Sequence, residues 1–599
     1  MQAGKQAGTG QKAATPLTEA FKSYRRTFVP IAIFSIFANL LMFVGPVYML
    51  EVYDRVIASR SVPTLLALTM IAAVLLFCYA LTDMVRGRVL SRAGAEFDEK
   101  LRSPLFRSAL AASLAAKTGN SVQSLRDLDS VRDFWSGAAV STMFDAPFAP
   151  IFVAVCFWYH PVLGLVALGG AILLFLLAFA NERATRQGLL SAARSSIEAN
   201  NYVTATMRNV EVIHALGMQQ SLHGRWVDKH RDAISWQSQS SDRAASILSS
   251  TKFVRQFVQS GILGVGAWLT VRGDISGGTM IAASIMMGRA LQPVEQAVAQ
   301  WKGFQTARQA WNRLEALLGA VPPQPERTPM PAPKGAIAAE NVTVTAPGRQ
   351  QIILKGVSFA LTPGDVLAIV GPSAAGKSTL ARTLVGVWPI ASGAVRIDGS
   401  DLRHWDPERL GLFMGYLPQD VELFGGTIGE NIARFRASKP EDIRAAATLA
   451  GAAQLIEEMP KGYDTDVGDG GVALSAGQRQ RVGLARAVFG NPRLVVLDEP
   501  NANLDVAGDE ALSETIRRLK GQGTTTVLVT HKPSLVTDAN KMLVLADGAV
   551  KLFGPRDQVM AELNRQRQQQ QTGKPVAPVP AAAGATPLRP VRPQRADGR

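Results

Sequence analysis

Eight consecutive residues, Gly371-Pro372-Ser373-Ala374-Ala375-Gly376-Lys377-Ser378, fit the spacing GxxxxGK[ST]. In that pattern, backbone N–H groups and the positive start of a helix cradle phosphate oxygens. Lys377 reaches the outer phosphates, the Ser378 hydroxyl faces a bound Mg2+, and Thr379 completes the set where the helix begins. Further along, Leu494-Val495-Val496-Leu497 delivers Asp498 and Glu499 side by side, ahead of Pro500, which stops regular structure. Asp498 is the candidate for the Mg2+ shell, and Glu499 for the general base or water-orienting residue in attack on a γ-phosphate. Alone, an apolar strand ending in two acids is an ordinary turn or cap; with a phosphate loop upstream it reads as hydrolytic. Between them, Leu474-Ser475-Ala476-Gly477-Gln478-Arg479-Gln480-Arg481 is a small-residue turn opening a helix through Val488. Ser475 and the free N–H groups at that helix start form a second anion site.

The elements that must hold these groups are short and alternate in type. The phosphate loop follows the apolar run Asp365–Val370 and opens the helical run Thr379–Val387. Other β-rich runs are Ala394–Ile397, Leu494–Leu497 and Thr524–Thr530, separated by helical sequence. The pattern predicts an α/β domain over 335–564, wrapped around a largely parallel sheet. Ahead of it, Val321–Pro333 is rich in proline and reads as a semi-rigid linker, placed at 319–334. Residues 565–599 are Gln-, Pro- and Ala-rich and basic, so a disordered tail without a partner is expected. No repeat of 20–50 residues is present.

The rest of the chain answers to a different solvent. Of the 599 residues, 47% are hydrophobic and only 19% charged, with a mean hydropathy of +0.10, which excludes a disordered or fibrous protein. Phe28–Leu50, Val62–Thr82 and Val162–Ala180 carry no charge and are long enough to span a bilayer. Ser136–Tyr159, Phe257–Val271 and Ile275–Leu291 are weaker candidates, giving six spans within a membrane domain over 27–318. Five Lys/Arg precede the first span, nine lie in 83–135 and ten in 181–256, against two, none and one in the alternate loops. The positive-inside rule then places residues 1–26, both long loops and the C-terminus in the cytoplasm. Those long loops have helix-forming composition, so the membrane helices are expected to continue into the cytoplasm. The polar residues ahead of the first apolar run, and that run's length, argue against a cleaved secretory signal. Cys78 and Cys156 sit in apolar runs without CxxC spacing and read as small buried hydrophobes. Asp145, in Phe144-Asp145-Ala146-Pro147, is a functional candidate as a membrane carboxylate; the competing reading is that it sits near the cytoplasmic interface or caps a proline-distorted turn. The net charge of +15 admits nucleic acid, an anionic membrane surface or nucleotide phosphates, and does not choose among them.

The string from Leu474 to Arg481 resembles the signature of ATP-binding-cassette ATPases, with Ala476 in place of the first glycine. The resemblance implies a homodimer with ATP between Lys377 of one subunit and Ser475, Gly477 and Gln478 of the other. It further implies that Gln419, in Tyr416-Leu417-Pro418-Gln419, senses Mg2+ and the attacking water. Asp505 lies in the loop crossing the dimer interface, and His531 contacts the γ-phosphate. Thr427–Ile432 and Thr465–Asp469 resemble export-type cassettes; near Thr343–Pro347, where exporters usually carry an adenine-stacking aromatic, this chain has Ala346. Phe144–Pro150, Gly288–Gln296, Trp301–Phe304, Gly386–Pro389, Leu417–Phe424 and Leu497–Asp505 resemble the PrtD-like exporters of bacterial type I secretion over about residues 20–563. The implied fold is a six-helix all-α transmembrane domain of a type I ABC exporter fused to an α/β P-loop ATPase. The implied partners are a secreted unfolded polypeptide with a C-terminal signal, such as an RTX-type protease or lipase, a periplasmic membrane-fusion adaptor and an outer-membrane channel, with membrane lipid around an inner-membrane protein. No peptidase domain is read ahead of the first span, so the leader-cleaving type is not expected. Rival readings are an exporter of lipid, drug or polysaccharide, an ATP-gated regulator with little turnover, suggested by Ala476 and Ala346, and a DNA-associated ATPase, which the six spans argue against.

Overall fold

Long stretches almost free of Gly and Pro run on past the predicted spans, and so do the helices. The computed structural model describes residues 15–116, 121–320, 330–346, 351–468 and 470–572, which form two compact units dividing between Gln324 and Pro325. In the first unit Val62–Ala116, Pro161–Met207 and Gln219–Arg272 are single helices of 55, 47 and 54 residues. At the α-helical rise these measure about 70–80 Å, against about 30 Å for a hydrocarbon core, so each projects well beyond a bilayer.

All six predicted spans are largely helical, with three interruptions that the hydropathy pattern does not reveal. Phe28–Leu41 breaks at Met42-Phe43 before Val44–Glu51, because Pro46 has no N–H to offer the Met42 carbonyl. The segment then passes through a π-helical turn, Val52–Val56, whose Asp54 accepts from the Gly278 backbone N–H at 2.9 Å. The predicted span Ser136–Tyr159 breaks at Gly137 and again at the 3-10 turn Ala146–Phe148, giving Ala138–Asp145 and Ala149–Tyr159.

Among the described residues, four helical segments are long and apolar enough to cross a membrane: 16–59, 62–114, 138–159 and 161–207. The other two predicted spans are less apolar; protein covers most of residues 277–291, while Phe257–Val271 buries one stripe and exposes Phe257, Trp268 and Val271. Ile262, Leu269, Met286, Met287 and Leu291 share one buried core with Phe152, Cys156, Leu163 and Leu174. Small residues allow this closeness: a Cβ at Gly170 would lie 2.6 Å from Val258, and one at Gly266 would lie 2.7 Å from Met280. Cys156 is buried as expected, whereas Cys78 is exposed beside Leu66, Met70, Val74 and Phe77 on a helix face that suits lipid.

Asp145 does not cap the turn that follows it. Its Oδ1 accepts from Arg86 Nη1 at 2.7 Å and from Asn39 Nδ2 at 2.9 Å, tying three membrane helices together. Arg86 is 5% exposed and also donates to Asp83 at 2.8 Å and to Ser35 at 3.2 Å. Below the spans, a short amphipathic helix, Pro16–Arg25, packs Leu17, Ala20 and Tyr24 against Phe97, Leu101 and Leu105. Arg313 grips Asp127 through two 2.7 Å hydrogen bonds, joining Trp301–Ala320 to Ser121–Ser136.

Among the described residues, the second unit holds ten strands. β1 (Ile337–Thr345), β2 (Ile352–Leu361), β4 (Ser392–Ile397) and β5 (Ser400–Asp401) form an antiparallel sheet in the order β2-β1-β4-β5. β3 (Val366–Val370), β6 (Met414–Leu417), β7 (Leu494–Asp498), β8 (Thr525–Val529), β9 (Lys541–Ala546) and β10 (Ala549–Pro555) form the other, in the order β10-β9-β3-β8-β7-β6. All its ladders are parallel except that of β10. β3, β7 and β8 read as continuous Val/Leu/Ile/Thr runs because both faces are covered. The parallel sheet is as expected; the antiparallel one was foreshadowed only by Ala394–Ile397. The helix Arg556–Thr572 carries regular structure eight residues into the predicted tail, where Gln566 bonds Glu562 one turn back; residues 573–599 and 321–329 lie outside the described residues.

Candidate active site

Strand order brings the predicted residues together. β6, β7, β8 and β3 are consecutive neighbours, all parallel, so the loops after their C-terminal ends lie side by side, where open α/β sheets bind ligands. Those loops carry Gln419, Asp498 with Glu499, His531, and the run Gly371–Ser378.

The phosphate loop leaves β3 at Gly371 and enters the helix Lys377–Leu384 through Gly376 at φ 97°, a left-handed conformation that suits glycine. Ser373, Ala374 and Ala375 form the turn between, with Ala375 N–H donating to Pro372 O at 3.3 Å. Lys377 is 6% exposed and its Nζ donates to the Gly371 and Pro372 carbonyls at 3.0 and 2.9 Å, folding the ammonium over its own loop. Burial pulls the Lys377 pKa down, and the charges of Glu499 and Asp498 oppose that. Thr379 follows in the first helical turn, and its carbonyl accepts from Thr383 Oγ1 at 2.7 Å.

At the end of β7, Asp498 is fully buried and accepts the Ser378 hydroxyl at 3.0 Å on Oδ1. Burial pushes its pKa up, against the Ser378 hydrogen bond and the charges of Arg382 and Lys377. Its Oδ2 is buried and has no hydrogen-bond partner. A desolvated carboxylate with an idle oxygen, beside a serine hydroxyl, is a donor set that fits a hard divalent cation. Among the described residues no three His, Cys, Asp or Glu side chains gather as a protein-only metal cage, so phosphate and water oxygens would complete such a shell.

Glu499 sits at φ 50°, a left-handed backbone that a non-glycine residue holds only when its surroundings impose it. Here its N–H donates to the Val529 carbonyl at 3.0 Å and Pro500 follows. Gln419 Nε2 donates to Glu499 Oε2 at 3.0 Å, and His531 Nε2 stands 3.6 Å from Glu499 Oε1. The arrangement can orient a water, take its proton and contact a terminal phosphate.

The signature residues form a separate cluster in the same unit. Ser475 caps the helix Ala476–Val488 by accepting from Gln478 N–H at 3.3 Å, while Gln478 Oε1 accepts from Ser475 N–H at 2.9 Å. A Cβ on Gly477 would lie 3.0 Å from the Asn503 carbonyl, so the turn presses on the loop leading to Asp505. Asp505 caps Val506–Gly521 and pairs with Arg481 at 2.7 Å. Among the described residues, no hydrogen bond runs from Ser475, Gly477 or Gln478 to Gly371–Thr379. Gln480, donating to Pro500 O at 2.9 Å, links the signature helix to the segment after Glu499. Gln480 and Arg481 stand in the quoted motif but received no role from the sequence; Arg382, whose charge acts on Asp498, gave no signal there. Ala346 follows β1, with its N–H donating to Gln351 O at 2.8 Å, and residues 347–350 lie outside the described residues.

Comparison with known proteins agrees with this geometry. The ABC transporter family matches residues 354–502, and the ABC transporter transmembrane region matches residues 28–294. The chain is 41% identical over 551 residues to the type I secretion system ATP-binding protein PrsD of Rhizobium meliloti, covering 92% of this chain and 95% of that one. It is 29% identical over 551 residues to the leukotoxin translocation ATP-binding protein LktB of Mannheimia haemolytica, covering 90% and 77%. In fold it resembles the structure of a bacterial Atm1-family ABC exporter with ATP bound, with a TM-score of 0.79 at 22% identity over 92% of this chain and 99% of that one. With an ATPase family match over one unit, a transmembrane-region match over the other and a type I secretion relative along nearly the whole length, the chain belongs to the ABC transporters, among the ATP-binding proteins of type I secretion systems, and is an ATPase coupled to transport.

Proposed function

We propose that two copies of this chain pair to export an unfolded polypeptide across the bacterial inner membrane, each ATP lying between the phosphate loop of one copy and the signature turn of the other. The observation that carries this reading is the division of phosphate-binding groups into two clusters within one cassette, Lys377 with Ser378 and Ser475 with Gly477. A second copy supplies the reason for the second cluster, since each is half of a site.

In the reaction, water oxygen attacks the γ-phosphorus, the bond to the ADP oxygen breaks, and Glu499 takes the water proton. Gln419 and His531 hold that carboxylate in place, and Lys377 turns from the Gly371 and Pro372 carbonyls to the outer phosphates. Mg2+, held by Ser378, Gln419 and Asp498, would supply charge neutralisation at the phosphate oxygens. Asp505 and Gln478 line the seam between copies. ATP binding closes the cassettes, hydrolysis reopens them, and the long helical extensions carry that motion to the spans. Both termini are cytoplasmic in this reading. The cargo carries a C-terminal signal, as an RTX-type protease or lipase does, and leaves through a periplasmic adaptor and an outer-membrane channel. Nucleic acid has no part in it.

The test is secretion in cells lacking this chain. Loss of a glycine/aspartate-repeat protein from the medium, with drug resistance and lipid distribution unchanged, and rescue by the wild type but not by Glu499→Gln, is the expected result. Normal secretion with altered drug or lipid handling would transfer the assignment to a lipid or drug exporter.

A further inference from the structure

The C-terminal end of the signature helix is held by a residue outside every motif discussed so far. The short helix Ile428–Ile432 opens with a capping box between Thr427 and Glu430 and ends in Ala433. Arg434 and Phe435 follow at φ 57° and 56°, two successive non-glycine residues in the left-handed region. Such a turn persists only where surrounding contacts impose it, and the contacts are those of the Arg434 guanidinium. Its Nε donates to Arg486 O at 2.9 Å and its Nη2 to Ala487 O at 3.1 Å; its Nη1 donates to Gly411 O at 2.6 Å and to Met414 O at 3.1 Å. Among the described residues no carboxylate pairs with it. Burial and the neighbouring Arg436 and Arg486 charges bring its pKa down to about 10, so it stays a cation at neutral pH.

Two of those four carbonyls lie on the signature helix and two at the entry to β6. Arg486 and Ala487 are in the last turn of Ala476–Val488, whose carbonyls have no onward helical donors. A cation at this end also suits the helix dipole. Gly411 lies in the short helix Pro407–Phe413 that leads into β6, and Met414 is the first residue of β6, which runs to Leu417 and delivers Gln419 to Glu499. The two elements touch directly, since a Cβ on Gly415 would lie 2.0 Å from the Ala487 carbonyl oxygen.

We infer that Arg434 is a positioning residue for ATP hydrolysis, fixing the signature helix that presents Ser475 and Gly477 against the strand that delivers Gln419. The inference rests on the paired-site reading above, in which both ends of that connection act in hydrolysis. Only a planar fork reaches carbonyls on two elements at once; an ammonium retains the charge but loses the geometry.

The test uses the full chain in lipid nanodiscs with MgATP. Arg434→Lys and Arg434→Met are both expected to lower kcat at least about tenfold, with the Kd of a non-hydrolysable ATP analogue changed less than about twofold, because the Lys377 loop is built without Arg434. Gly415→Ala, which wedges the helix from the strand without altering charge, is expected to give the same split. Unchanged kcat in the lysine variant, or analogue affinity weakening in step with kcat, would overturn the inference, the second by reducing Arg434 to support of the general fold. Ser475→Ala in parallel separates the two readings. If it lowers kcat while Arg434→Lys does not, the role of Arg434 alone fails; if it leaves kcat intact, the paired site fails and takes this inference with it.

Discussion

Gln419 reaches Glu499 across the edge of the sheet, its Nε2 donating to Oε2 at 3.0 Å, while His531 stands 3.6 Å from the other oxygen of the same carboxylate. The three residues follow β6, β7 and β8, so adjacent parallel strands fix the carboxylate from both sides. If Glu499 is the base, as proposed, a carboxylate so oriented needs little rearrangement when water arrives.

Replacing Glu499, the proposed base, should separate chemistry from binding. Glu499→Gln is expected to lower phosphate release by about 10²–10⁴-fold with ATP affinity nearly unchanged, since the phosphate loop does not depend on Glu499. Gln419→Ala, which frees the carboxylate without deleting it, should cost less. Phosphate release beside equilibrium nucleotide binding measures both; a Glu499→Gln protein turning over within tenfold of the wild type would move the base elsewhere.

Asp498 is expected to cost stability and confer metal dependence. Its folded-state pKa lies above the ordinary value of 3.8, so at neutral pH the folded protein keeps a desolvated charge that the unfolded chain hydrates. That penalty is fully present above the folded pKa and disappears as pH falls below the ordinary value. Nucleotide-free Asp498→Asn should therefore melt higher than the wild type at pH 7, by about 2–4 °C for each kcal/mol recovered, and no higher at pH 3. Added Mg2+ with ATP should raise the wild-type melting temperature more than that of the variant, and chelation by EDTA should remove the difference. A variant that melts lower at pH 7 would show that the Ser378 hydrogen bond outweighs burial.

Gly371 is a matter of space. A Cβ there would lie 2.0 Å from the Leu545 carbonyl on β9, the neighbour of β3, and neither backbone can give way without disturbing the ladder. Gly371→Ala should displace the phosphate loop and weaken ATP binding by at least about tenfold, on the scale of overpacking costs of 1–3 kcal/mol. Titration with a fluorescent ATP analogue reads this directly, and unchanged affinity would mean the loop accommodates the methyl group.

What could be read from the sequence was the chemistry confined to one turn of chain. Gly371–Ser378 and Asp498-Glu499 announce themselves because a loop or strand end fixes each set locally. The antiparallel sheet was harder: β1 and β2 pair through repeated register shifts that blur the alternation marking a half-buried strand. Pairs formed by tertiary folding left no trace. Arg86 and Asp145, Arg313 and Asp127, and Arg434 with the carbonyls of 486 and 487 meet only once helices pack. In the first case hydropathy misled, because Asp145 seemed alone in its span while its partner, Arg86, fell just beyond the end of another.

That pair gives the membrane unit its own prediction. Arg86 and Asp145 have side-chain exposures of 6% and 17% and meet at 2.7 Å, with Ser35 and Asn39 filling further hydrogen bonds. Breaking a buried pair from one side leaves an uncompensated charge, at about 3–5 kcal/mol, whereas removing both charges can be near neutral. Asp145→Asn alone should therefore lower the melting temperature of the detergent-solubilised protein. Arg86→Met should do more, since Asp83 also loses its partner and Asn39 and Ser35 lose a shared anchor. The double variant Arg86→Met/Asp145→Leu should recover much of the loss, giving a clear coupling between the sites. Additive losses in the double-mutant cycle would mean that solvent or Asp83 alone already satisfies Arg86, and that the contact seen between the helices contributes little.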